Sequence, residues 1–569
     1  MNGKHIQNST LRRKAILPPV LLAAFLLATF SCKEEESAIP TNLPPQVELT
    51  GAYDITRHEA TVSGSVTPVG SGHICFISLR YGVTDSLEHE LSFKPTEQTI
   101  TARLTGLQTE TTYRCVLETG NEYSTITSDT LRFTTTPGIP PILSPLRIAG
   151  RGPYRIALQS LINDDGGLPI TETGFYYWPE SREEEKKRQK LSSPQTDSPT
   201  EIQDIIRLLK KDCPYQAQAY AINKAGEATS QPFAFTVNDS LTLTEAGTLA
   251  DQLSTEEQDS IPSLTLKGPI NGSDTYVLHM MTGSENGTDD FGHLAYLDLT
   301  ETDIRMGGVY PNSWLVQDDC IDGRLFYHSR WLEVLKLPAT LKYFSFQSID
   351  WCTNLRHITF PRDMEEYYYY PLTVRQGTIN IESFDIPDDA PYFCTYNGAL
   401  YNKAENKLVW YPPCRDTARA ESFMPGVSVT SGMAFMDSQL KYLELPKGIR
   451  TLKDQSNVIM EKLEYLSMPD SISYISWRFN SRLFPNLKTL YWGKGATRIS
   501  NVLDFYFPET LRQVYVPQST PPDLTENNGG GISEIKDSCI LYVPIGATAA
   551  YREAEQWKEF THIVEMKFE

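Results

Sequence analysis

The sequence predicts a multidomain, mainly β protein: two β-sandwiches followed by a coiled repeat domain built on a parallel β-sheet. Three observations predict it. From Val47 to Pro137, short alternating apolar runs recur with turn residues between them. From Leu332 to Pro517, a unit with apolar residues at positions 0, 3 and 5 and proline at position 6 keeps returning. Aromatic residues make up 11% of the chain, with 30 tyrosines, which suits strands and contact surfaces better than a helical bundle. At 569 residues the chain is too long for one core.

The N-terminus comes first. Arg12, Arg13 and Lys14 precede an apolar run, Ala15 to Phe30, that is short for a membrane span and fits a secretory signal. Small Ser31 then precedes Cys32. This arrangement resembles a bacterial lipoprotein signal, whose peptidase cuts before the cysteine and leaves it lipidated. Thr29 stands where that pattern has leucine, and Phe30 is bulky. An ordinary signal peptide and an anchor helix are the plainer alternatives. Lys33, Glu34, Glu35 and Glu36 resemble the export signal of Bacteroidota lipoproteins that reach the cell surface; as chemistry alone the run is a solvated tether. Residues 1–31 are thus read as a signal peptide, and 32–46 as a lipidated cysteine with an acidic, Pro-rich tether.

The formal charge is -20, and residues 1–31 hold four basic residues and no acid, so a chain starting at Cys32 carries -24. Such a surface disfavours nucleic acid and anionic headgroups. Eight cysteines follow Cys32, with no CxxC and no histidine at ligand spacing, which argues against zinc. Export permits disulfides. Cys75 with Cys115, and Cys394 with Cys414, are candidate pairs; buried free thiols fit the sequence equally well.

Residues 47–137 form the first expected sandwich, with strands over Glu59–Val66, Ile74–Gly82, Thr99–Leu107, Thr112–Thr119 and Thr130–Thr135. Within it "LQTETTY" spaces Leu107, Thr111 and Tyr113 as in the fibronectin type III pattern L-x-P-x-T-x-Y, which it resembles. That resemblance implies a buried leucine and a tyrosine hydroxyl bonded back to the chain. "LKKDCPY" repeats the spacing with Leu209, Cys213 and Tyr215. Residues 139–238 therefore resemble a second Ig-like/fibronectin type III-like sandwich. Its charged insertion, 179–200, lacks apolar periodicity and reads as a loop or short exposed helix.

Residues 239–290 read as an N-terminal cap, with helices over Leu243–Ile261 and Asp274–Met281 and a strand at Ser263–Gly268. Residues 291–569 carry the repeats. Units start at Leu332, Leu355, Ile381, Leu440, Leu463, Leu487 and Leu511, and the last four starts are 23, 24 and 24 residues apart. That is the leucine-rich-repeat period, in which each coil buries its apolar residues against its neighbours. Asn397–Pro412 and Ser422–Phe435 resemble the BspA-type leucine-rich repeats of bacterial surface proteins. Cys539–Glu565 resembles their closing segment, with Trp557 and Phe560 plugging the open end.

Catalytic motifs are missing: there is no HExxH, GxSxG or P-loop. His89–Phe93 has His-Glu without a second histidine and is assigned to a loop. Gly283–His293 gathers acids near glycines, but without the alternation of a calcium loop it reads as a polar turn. No metal, cofactor or catalytic residue is therefore expected. The repeats instead offer a surface. Residues between the buried positions face outward. Tyr491, Tyr515 and Tyr542 then form one column, Tyr442 and Tyr465 a pair in the next, and Lys336, Thr359 and Asp385 fall at the same position of earlier repeats. Four further tyrosines, Tyr367 to Tyr370, cannot all be core. Aromatic columns suit protein or sugar contacts, and they also stabilise a sheet by packing on one another.

Together these resemblances imply a non-catalytic lipoprotein anchored in the outer membrane. It would face the cell exterior and bind a host or microbial surface protein or glycan through its repeats. A glycan-binding accessory of a polysaccharide-uptake system is the alternative, and a hydrolase with an unrecognised site the third.

Overall fold

The computed structural model describes residues 43–191, 200–283, 291–308, 318–321, 325–344, 346–365, 377–432, 434–452, 458–475, 480–497, 506–524 and 532–568. The signal, Cys32 and the start of the tether lie outside these residues, as do Tyr367 to Tyr370. The chain is mainly β with few helices. It divides into two compact units, one ending at Gly138 and one from Ile139 to Glu569.

In the first unit, Gln46–Tyr53, Ala60–Thr67 and Thr99–Leu104 form one antiparallel sheet. His89–Phe93, Phe76–Gly82, Thr112–Gly120 and Thr125–Thr127 form the other, with Leu131–Thr134 also paired to Thr112–Gly120. Alternation puts Val62, Ile100 and Leu104 from one sheet and Leu79, Leu117 and Phe133 from the other into one core. His89–Phe93 is a strand and not the expected loop. It pairs with Ile77 to Tyr81, and the His89 ring stacks on Tyr81 at 5.0 Å. Gln46–Tyr53 also lacks a clean signal, because a bulge between Leu49 and Gly51 breaks its alternation.

The second unit starts the same way. Arg147–Gly152, Arg155–Asp164 and Thr200–Ile206 make one sheet; Lys187–Lys190, Glu172–Pro179, Tyr215–Asn223 and Gly226–Thr229 make the other. Ile156, Leu158, Phe175, Ile202 and Ala217 share the core. The charged insertion is neither loop nor helix throughout. After a short 3-10 turn at Glu183–Glu185, Lys187–Lys190 is a strand paired with Gly174 to Tyr177; residues 192–199 lie outside the described ones. Cations over aromatic rings hold it, rather than apolar periodicity. Lys186 lies 4.4 Å from the Trp178 ring, Arg188 lies 4.8 Å from that of Tyr220, and Arg188 pairs with Glu172.

One constellation occurs in both units. The Gln108 N–H donates to the Tyr113 hydroxyl at 2.8 Å, and the Lys210 N–H to the Tyr215 hydroxyl at 2.9 Å. Leu107 and Leu209 are buried beneath. Tyr113 stacks on Phe133 and Tyr215 on Phe235, each with ring centroids 5.7 Å apart. Ser128 accepts from the Leu117 N–H and Ser230 from that of Ala219. Asn121 and Asn223 each hold a turn by accepting two N–H bonds.

Beyond the second pair of sheets the strands become parallel. Ser240–Thr242, Ser263–Ile270, Tyr296–Ile304, Val334–Lys336, His357–Thr359 and Ser383–Asp385 form one sheet, which begins ahead of the first repeat. The helix expected over Leu243–Ile261 splits into Leu249–Gln252 and Thr255–Ser260, because Leu253 is extended and Ser254 starts a new helix with a capping box on Glu257. Gly272–Met281 is helical.

The repeats do not share one sheet. The first parallel sheet ends at Ser383–Asp385. An antiparallel hairpin follows, Phe393–Tyr396 with Ala399–Asn402 and then Lys407–Trp410. A second parallel sheet runs through Thr417–Ala418, Tyr442–Glu444, Tyr465–Ser467, Thr489–Tyr491, Gln513–Tyr515, Ile540–Pro544 and His562–Met566. The column of Lys336, Thr359 and Asp385 therefore does not continue to Glu444. Asparagines just before the first apolar residue of a unit tie coil to coil: Asn354, Asn380 and Asn486 donate to the carbonyls of Arg330, Thr353 and Glu461, each at 2.6 Å.

The second two-sheet region is fastened to the repeats. Tyr154 (φ 55°), at a hairpin tip, enters the repeat core beside Leu241 and Leu264. Its hydroxyl shares a 2.6 Å hydrogen bond with Ser263. Glu257, fully buried, accepts from Arg155 at 2.9 Å and from Arg207 at 3.0 Å.

Candidate binding face on the second parallel sheet

Register decides which side chains meet on this sheet. Leu443, Leu466, Leu490, Val514 and Leu541 point inward and are fully buried. Their neighbours must point outward, because side chains alternate along a strand. Tyr442 pairs with Tyr465, and Tyr465 with Thr489. Tyr491 pairs with Tyr515, and Tyr515 with Tyr542. All five tyrosines are half-buried.

The rings stack along the columns. Tyr442 and Tyr465 lie 4.3 Å apart and 3° from parallel, and Tyr515 and Tyr542 lie 4.5 Å apart at 6°. Tyr491 is looser, 6.3 Å from Tyr515 at 22°. Tyr465 joins the two columns: its phenol acts electrostatically on Tyr442, Tyr491 and Tyr515. Burial is the main cause that raises the pKa of Tyr491 and of Tyr515. Burial, then Tyr465 and Glu444, push Tyr442 up to about 12.

Two contacts on this face have no sequence signal. The Arg419 guanidinium lies over the Tyr442 ring at 5.1 Å, from a coil without the repeat pattern. Phe568, beyond the last strand, meets Tyr491 edge-on at 6.2 Å and 65°. The face therefore has ring edges and hydroxyls outward and a cation at one end. It can exchange hydrogen bonds and pack against apolar groups.

Other candidate positions take plainer roles. Cys75, Cys115, Cys213, Cys320, Cys352, Cys394, Cys414 and Cys539 are free thiols. Neither candidate disulfide forms: Cys75 is exposed while Cys115 sits in the core, and the Cys394 thiol contacts Met424 Sδ at 3.7 Å. In Gly283–His293, residues 284–290 lie outside the described ones, and His293 packs on Trp331. Among the described residues no cluster of three or more His, Cys, Asp or Glu side chains is placed to hold a metal.

No curated protein matches the chain. The crystal structure of the pneumococcal vaccine antigen PcpA is similar over 59% of this chain and 86% of that one, at 16% identity and a TM-score of 0.30. The FN1–FN3 domains of chicken CNTN1 are similar over 35% of this chain and 69% of that one, at 13% identity and a TM-score of 0.16. The sensor domain of the anti-sigma factor RsgI4 from Pseudobacteroides cellulosolvens is similar over 17% of this chain and 97% of that one, at 27% identity and a TM-score of 0.14. The family match falls on the repeats: residues 319–404 and 422–519 match the BspA type leucine-rich repeat region, in six copies.

Proposed function

We propose that this chain is a non-catalytic surface lipoprotein whose repeat domain binds a protein on a host or microbial cell. In this reading Cys32 carries the lipid that holds the protein to the outer membrane of a Bacteroidota cell, facing outward. The acidic tether and two fibronectin type III-like sandwiches are the stalk, and the repeats coil into a solenoid that presents the tyrosine face. The paired tyrosine corners support the sandwich assignment. The observation that carries the function is the face itself, five half-buried tyrosines in two adjoining columns on the parallel sheet. Rigid aromatics with polar tips are enriched at the centres of protein interfaces.

The test is capture on arrays of extracellular-matrix and bacterial surface proteins, beside a glycan array. The wild type captures a protein, and the triple variant Tyr491→Ala, Tyr515→Ala, Tyr542→Ala loses that capture while keeping its circular dichroism spectrum. Capture of glycans alone would replace this reading with that of a glycan-binding accessory, and turnover of any array member would replace it with a hydrolase. Protease shaving of intact cells tests the address: the repeats are removed if the protein faces outward.

A further inference from the structure

Phe568 lies two residues past the last strand, His562–Met566, yet its side chain is half-buried, because the ring rests on Tyr491. Tyr491 sits three strands inward from that edge, across Gln513–Tyr515 and Ile540–Pro544. Strands lie about 4.8 Å apart, so the strand of Tyr491 is roughly 14 Å from that edge, and the turn after Met566 together with the two side chains spans the gap.

The stacking limits what the face accepts. Both faces of each ring point along its column, toward the next side chain. Tyr442 has Tyr465 on one side and Arg419 on the other, and Tyr515 lies between Tyr491 and Tyr542. A sugar stacks on an open ring face, and at Tyr442 and Tyr515 both faces are taken. What remains outward is edges and hydroxyls, which suit an aromatic side chain in the edge-to-face arrangement that aromatic pairs prefer. Phe568 makes that contact at Tyr491, where the column spacing is widest.

We infer that the tyrosine face receives an extended polypeptide segment bearing an exposed aromatic side chain, and that Phe568 occupies this place in cis until a partner displaces it. This rests on the protein-binding reading above and names the chemistry of the partner. Phe568 is then a competitor, and removing it strengthens binding in trans.

The probe is an N-acetylated peptide with the sequence of Glu565–Phe568, its phenylalanine carrying fluorine, titrated into the full chain and followed by fluorine NMR. Phe568→Ala binds it saturably and at least tenfold more tightly than the wild type. Adding Tyr491→Leu, which keeps bulk without a ring, abolishes binding while circular dichroism stays unchanged. Equal binding to wild type and Phe568→Ala, or no binding to Phe568→Ala, overturns the inference. Protein capture on arrays with no peptide binding would overturn this inference and leave the protein-binding reading standing. Peptide binding with blank arrays would sink the surface-adhesion reading alone. Glycan capture that Tyr491→Leu abolishes would overturn the inference and assign the face to sugars.

Discussion

The phenol rings of Tyr442 and Tyr465 lie 4.3 Å apart and within 3° of parallel, on strands in register. Such pairs contribute about 0.5–1.5 kcal/mol beyond the area they bury. A double-mutant cycle of Tyr442→Leu and Tyr465→Leu, read by urea denaturation, should return a coupling in that range. A coupling of zero would mean that the two rings stand side by side without stabilising the sheet.

Alkaline titration reads the same site. Burial first, then Tyr465 and Glu444, push Tyr442 up to about 12, whereas an unfolded tyrosine ionises near 10. The folded chain keeps a proton that the unfolded chain releases. Its contribution is therefore complete below pH 10 and is lost as pH rises toward 12. Tyr442→Phe should remove one late step from the ultraviolet titration of the phenols and flatten the loss of stability over that window. Loss of a step near pH 10 in place of the late one would put Tyr442 in water.

The two tyrosine corners predict matched costs. Tyr113→Phe strands the Gln108 N–H, and Tyr215→Phe strands that of Lys210. Losing the partner of a part-buried donor costs about 1–3 kcal/mol. Each substitution should cost that much, and the double variant should show the sum, because the two sites share no partner. Denaturation of the separate variants and the pair checks it.

These corners show why some of the architecture is legible in the chain. The spacing Leu-x5-Tyr is local, so "LQTETTY" and "LKKDCPY" reveal both sites without distant contacts. The tyrosine columns are legible for the same reason, since period-two alternation sets their side and the repeat length sets their register. The break between the two parallel sheets is not legible, because the hairpin strand Ala399–Asn402 is entirely buried and reads like a repeat strand. The strand Lys187–Lys190 is held by cations over rings that lie elsewhere in sequence. Arg419 and Phe568 reach the tyrosine face only through the tertiary fold. The Glu257 cluster joins residues 50 and 102 positions apart.

That cluster predicts an acid-sensitive junction. Burial alone would raise the Glu257 carboxyl, but the Ser254 N–H and hydroxyl, with Arg155 and Arg207, outweigh it and hold the pKa below the usual value. A depressed carboxyl stabilises the fold above its unfolded pKa, and that contribution is lost as pH falls through the folded value. Removing one partner of a buried ion pair costs about 3–5 kcal/mol. Glu257→Ala should therefore open the contact between residues 139–238 and the repeats at neutral pH, as the wild type does only in acid. Limited proteolysis near Ser254 reads this, and equal resistance of variant and wild type at pH 7 would show that the remaining contacts, Tyr154 with Ser263 and Arg155 with the Gln252 carbonyl, hold the junction without Glu257.

The far end of the repeats depends on Trp557. Every coil but the last covers its core with the next coil, so the last exposes apolar surface unless something closes it. Trp557 is 1% exposed and donates its indole N–H to the Pro522 carbonyl at 2.7 Å. It meets Trp492, Phe507 and Tyr551 edge-on and lies near-parallel to Phe560. Truncating a buried tryptophan costs about 3–5 kcal/mol. In a stack of coils that loss falls on the nearest neighbours, so Trp557→Ala should raise hydrogen exchange in Gln513–Tyr515 and Ile540–Pro544 well before Tyr442–Glu444. Trp557→Phe, which keeps a ring but loses the N–H, should show a smaller rise in the same strands. Uniform loss of protection along the whole sheet would instead mean that the repeats unfold as one unit, and that the aromatic plug stabilises all of them equally.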